Sequence, residues 1–313
     1  MPLHLVTLTP TAALGIPIAV IGSIFLALGA QFQHRGVGKV DAATAPEDRA
    51  GLNIRQLISL ARRPSWLIGT LLLGLAIVLQ LWSLFLAPLT VVQPLGAIAL
   101  VITSIVNARV SHTKLDRPSI RAIAFCVGGV GIFVTIAAVT TTSVPLHDVQ
   151  LIVVLIILGV VLVTAALVFA FFRKMFTTIF YIVGAGILFG FVATLAKVDI
   201  DRVHTIVQNG FHLQPGDGLT IVCLFGLILA ALLGSYFVQT AYSSGPPDLV
   251  VAGLTVIDPL VGVTIGIVVL GEASQAPLWA AGVFVVAGAI AIYGVFQLSK
   301  HRPPNGTLGY VGL

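Results

Sequence analysis

Charge is what this chain has least of. Only 9% of its 313 residues are Asp, Glu, Lys or Arg, whereas 58% are hydrophobic. A soluble domain carries about 25% charged residues, so a water-soluble globule is excluded and a membrane is the expected solvent. Cysteine is scarce as well. Cys126 and Cys223 both fall inside apolar runs, which excludes a disulfide framework and leaves packing as their expected role. No basic stretch precedes the first apolar run, so a cleaved signal peptide is not expected. The motifs H-E-x-x-H and G-x-S-x-G and a phosphate-binding glycine loop are all missing, and neither an enzyme nor a resident cofactor is expected.

The gaps between charges delimit the membrane spans. No charge occurs from Met1 to His34 or between Arg63 and Arg109, and the second gap holds two crossings of about 20 residues each. The remaining gaps complete nine expected spans: 11–33, 65–86, 91–109, 119–141, 149–172, 178–197, 219–241, 249–270 and 277–298. The fold class is therefore an all-α polytopic membrane protein. Of the 16 Lys and Arg residues, all but Lys197 and Arg202 then lie on one side. That bias predicts an outside N-terminus and a cytoplasmic C-terminus. It also explains the net charge of +5 without nucleic acid.

Four correspondences connect the ends of the chain. GSIFLALGAQFQ from Gly22 resembles GILFGFVATLAK from Gly186, pairing Gln33 with Lys197. Gln80 precedes Pro88 by eight residues, as Gln239 precedes Pro247. Q-P-L at Gln93 matches D-P-L at Asp258, and spans 4 and 9 are both glycine-rich. Spans 1–4 thus repeat as spans 6–9 in opposite orientation, an architecture of many secondary transporters. A first half, 1–145, contains the cytoplasmic loop 34–64; a second half, 146–300, precedes a tail, 301–313. Within the loop, LNIRQLISLARR has the spacing of a helix lying on the membrane surface, and a solvated linker fits equally.

APLTVVQPLGAIALVITSIVNARV and GPPDLVVAGLTVIDPLVGVTIGIVVLGEA resemble the two half-motifs of the drug/metabolite transporter superfamily, its EamA-like members included. Ala87–Ala97 and Gln239-x-x-Tyr242 are most similar to the NIPA-type magnesium transporters, although uncharged Ile77 stands where those carry an acid. The resemblance implies a transporter of a small organic solute, with proton coupling compatible. The alternative it implies is a magnesium or other divalent-cation transporter. A non-transporting membrane scaffold is a third reading, from a different class.

Asp258 leads the candidate residues because it is the acid placed deepest in an apolar span. Pro259 removes a backbone donor beside it, so a helix break is expected there and at Pro94. Gln93, Gln80, Gln239 and Tyr242 are expected to shape the site, with Tyr236 and Trp82 as further wall residues or interfacial aromatics. Lys197 is expected to snorkel to the surface rather than to touch substrate. Any metal would fall to Asp258, and His204 and His212 read as residues of a solvated loop. Expected partners are membrane lipid and a small molecule or ion, with a homodimer compatible. The expected location is a plasma membrane, bacterial in type.

Overall fold

The computed structural model describes residues 10–41, 64–110, 116–144, 147–172, 178–208, 218–244 and 247–300. All the regular structure in these residues is helical. In chain order the helices are α1 Pro10–Asp41, α2 Pro64–Leu86, α3 Leu89–Val92, α4 Ala97–Val110, α5 Arg117–Thr140, α6 Asp148–Phe172, α7 Thr178–Gln208, α8 Gly218–Ser244, α9 Pro247–Val268 and α10 Leu278–Lys300. A 3₁₀ turn, Gln93–Gly96, joins α3 to α4.

Eight helical segments are long and apolar enough to cross a membrane, with α3, the turn and α4 counting as one; α1 adds a shorter apolar stretch, Ala13–Gly29. The molecule is built as a multi-pass membrane protein. Helices suit this solvent because each satisfies its own backbone hydrogen bonds. Large apolar side chains accordingly point outward, among them Leu71, Ile221, Val268 and Val285. The surface helix expected at 52–63 and the tail lie outside the described residues.

Between helices the contacts rely on small residues. Lipid is as apolar as Leu, so close backbone approach replaces the hydrophobic effect as the driving force. On α1, Gly15, Gly22 and Gly29 recur every seven residues and face α2. A Cβ at Gly15 would come 2.7 Å from that of Ala87. Ser83 Oγ donates to the Gly15 carbonyl at 2.8 Å across the same contact. α5 lies on α10, and α7 lies on both α8 and α9. The broken span α3–α4 crosses α9 and touches α1.

The two prolines behave differently. Pro94 sits in the 3₁₀ turn, where the helix of span 3 is interrupted. Pro259 lies inside α9, which runs unbroken from Pro247 to Val268, contrary to the expected break. A proline ring removes one hydrogen bond but leaves the flanking helix free to continue when its neighbours hold it. Gly186 and Gly190 of α7 provide that support, packing on Ile257 and Val261. The missing Pro259 N–H still deprives the Thr255 carbonyl of its partner one turn earlier.

Candidate functional site

The broken span and α9 meet at a glycine seat. A Cβ at Gly262 would lie 2.6 Å from Gln93 Nε2, so the Gln93 side chain rests on that glycine. One turn later, a Cβ at Gly266 would lie 2.9 Å from both Thr90 Oγ1 and Glu272 Oε2. Gly262 and Gly266 thus carry the segment Thr90–Gln93. Gln93 is 5% exposed and its Nε2 donates to nothing.

Asp258 stands one turn before Gly262 on the same helix. Its Oδ1 is buried without a hydrogen-bond partner. Gly190 of α7 closes on its backbone, a Cβ there falling 3.1 Å from the Asp258 carbonyl. An unsatisfied acceptor and an unsatisfied amide therefore occupy neighbouring turns of one crossing. Each such group costs about 1–3 kcal/mol when buried unpaired. A polar solute that pairs with both would remove that cost.

Both motif prolines face a different space. An apolar cleft of about 90 Å³ lies between the 3₁₀ turn, α5, α9 and α10, lined by Pro94, Ala97, Phe133, Thr255, Pro259 and Val263 among others. Gln80 is half-buried on α2, while Gln239, Tyr236 and Trp82 are exposed. None of these four lines the cleft. Tyr236 turns outward next to inward-facing Phe237. Tyr242 belongs to α8, but its side chain lies outside the described residues. Ile77 is exposed on α2.

Lys197 does not snorkel. It is 2% exposed and turned inward, its Nζ donating to the Leu84 carbonyl at 2.7 Å and reaching Asp201 Oδ1 at 3.1 Å and Ser143 Oγ at 3.5 Å. The reason is the end of α2, whose last carbonyls have no helical donors and attract a cation. Asp201 lies one turn along α7, where it offsets part of the charge.

Glu272, not singled out as a site residue from the sequence, is the second buried charge at this end. Its Oε1 accepts the Leu89 N–H at 2.7 Å, and its Oε2 accepts the Thr90 N–H at 2.8 Å and the Thr90 hydroxyl at 2.5 Å. These are the free amides that open α3, where a negative charge is favoured. Gly271 makes the reach feasible: at φ +73° it reverses the chain after α9, and Glu272 N–H returns to the Gly266 carbonyl at 3.0 Å. Burial pushes the Glu272 carboxyl above its ordinary range, while the Thr90 and Leu89 donors and the Lys197 charge pull it back. The sequence signal was the G-E pair ending the last quoted motif.

Asp199 is a further acid that its sequence context does not mark as a site residue. It is 9% exposed and both carboxylate oxygens lack a partner. Nearby, Arg202 pairs with Asp148 of α6. His204 stacks edge-on against Phe85, with ring centroids 4.9 Å apart. Among the described residues, no group of three or more His, Cys, Asp and Glu is placed to hold a metal. His212 and Asp217 lie outside them.

A protein of Corynebacterium glutamicum described as uncharacterized is 26% identical over 289 residues, covering 92% of this chain and 95% of its own. The likeness extends along essentially the whole membrane architecture. No protein-family model matches the chain, and no solved structure matches it significantly.

Proposed function

We propose that the protein is a secondary transporter of the drug/metabolite type, moving a small organic solute across a bacterial plasma membrane by alternating access. The observation that carries this reading is the unpartnered Asp258 carboxylate oxygen at the seat where the broken span crosses α9. An ionisable group inside an apolar helix is costly, and membrane proteins keep such groups for substrate or ion pathways. Gln93, its partner by motif, supplies the unmatched donor of the same crossing.

The packing supports an inverted repeat. α1 lies on α2 as α7 lies on α8, α1 touches the broken span as α7 touches α9, and α5 meets α10 between them. In this reading α6 opens the second half. Asp258 binds a proton or a cationic group of the solute, and Gln93 orients its polar part.

Reconstituted wild type and Asp258→Asn are to be compared for uptake of labelled amines, amino acids and nucleosides, with magnesium as a parallel substrate. Saturable uptake of an organic solute, lost in Asp258→Asn, is the expected result. Magnesium uptake lost in that variant would move the assignment to a divalent-cation transporter. Uptake indifferent to Asp258→Asn would remove Asp258 from the pathway, and folded protein inert to every solute would favour the scaffold reading.

A further inference from the structure

We infer that Lys197 and Glu272 form a two-charge clamp that holds one end of the bundle shut, and that its release opens this end to solvent. The inference rests on the transporter reading for its purpose, but the clamp stands on its own contacts.

The clamped element is the turn between α2 and α3, at Ala87-Pro88. On one side of it, the carbonyl end of α2 meets the Lys197 ammonium through Leu84. On the other, the amide end of α3 meets the Glu272 carboxylate through Leu89 and Thr90. Each charge has the sign its helix terminus favours. Both charges come from the second half of the chain, and both grip the first.

Further ties converge on the same end. Thr142 N–H donates to the Glu272 carbonyl at 3.0 Å, and Gln150 Nε2 to the Leu270 carbonyl at 3.1 Å. The termini of α2, α3, α5, α6 and α9 are thereby joined to one another and to the body of α7 through two buried side chains and their neighbours. By the charge bias of the loops, this end faces outside. The repeat places uncharged Gln33 where Lys197 stands, so the opposite end has no equivalent ammonium at that position.

A rocking motion of one half against the other pulls Lys197 from Leu84 and Glu272 from α3 together. Water or a solute then takes over the freed carbonyl and amides. A closed end stabilised by few, strong, buried contacts gives the two discrete states that alternating access requires.

The test is thiol labelling of full-length protein in liposomes. In a Cys126→Ala/Cys223→Ala background, Thr194→Cys places a reporter that is fully buried, one turn inward of Lys197. A membrane-impermeant maleimide is added from the N-terminal side. The reporter labels slowly when the clamp is intact, and at least about tenfold faster in Lys197→Met or Glu272→Gln, because losing one partner of a buried charge contact shifts the closed state strongly. Lys197→Arg, which keeps the charge, restores slow labelling. Should either clamp variant not purify as a monodisperse species, Ser143→Ala and Asp201→Asn are read instead, since each removes a single contact and leaves the ammonium in place. An unchanged rate in the readable variants overturns the clamp. Faster labelling in a protein that transports nothing would keep the clamp and reject the transport reading.

Discussion

At Lys197 the sequence invites a simple reading, a cation at a helix end reaching for headgroups. The side chain turns inward instead, because the Leu84 carbonyl near the end of α2 and the Asp201 carboxylate stand within its reach. Glu272 matches it at the first amides of α3. Removing one member of a buried charge contact costs about 3–5 kcal/mol. Lys197→Met and Glu272→Gln are therefore expected to lower the melting temperature in detergent clearly, and Asp201→Asn, whose side chain is partly exposed, only slightly. Gln at position 272 would also turn an amide donor towards the Leu89 and Thr90 donors. The charges themselves could be seen in the sequence. Their direction could not, since it depends on which helix termini fold beside them.

Helix pairing depends on individual glycines rather than on glycine content. Span 4 reads as Gly-rich at Gly128, Gly129 and Gly131, yet of the three just Gly129 is packed against another helix. A Cβ at Gly129 would fall 2.5 Å from the Ala291 backbone nitrogen, whereas at Gly128 and Gly131 it would meet nothing within 4 Å. Gly129→Val is predicted to destabilise by about 1–3 kcal/mol, the range for overpacked sites. Gly131→Ala should be neutral or stabilising by roughly 0.5–1 kcal/mol through helix propensity. Thermal melts of the two variants check this; equal destabilisation would contradict the α5–α10 packing. The helices themselves were legible: all nine expected spans start within two residues of an observed helix, but the helices of the first and sixth run on to Asp41 and Gln208, past the expected ends at 33 and 197. Long uncharged runs have few alternatives in a bilayer. Pro94 and Pro259 show what was not legible: the same motif breaks one helix and leaves the other continuous, because Gly186 and Gly190 brace the second against α7.

For the whole molecule, the repeat and the loop charges imply an odd number of crossings with most Lys and Arg inside. A reporter fused after Leu313 should therefore read cytoplasmic, and one preceding Met1 should read external. The same side for both fusions would contradict nine crossings. The halves do not pack as separate units, since α5 of the first lies on α10 of the second and α2 meets α7. That interlock leaves Gln93 and Asp258 at a crossing shared by the two halves, where a relative movement would change their surroundings most. Of the wider site, Gln239, Tyr236 and Trp82 stand out in the sequence by residue type and motif position. Their exposure reflects helix rotation, which apolar spans with residues of similar hydropathy on every side encode poorly.

The decisive measurement is solute-driven proton movement in proteoliposomes loaded with a pH-sensitive dye. Wild type should change the internal pH when a transported solute is added, and Asp258→Asn should not. Equal proton movement in the two proteins would contradict a coupling role for Asp258.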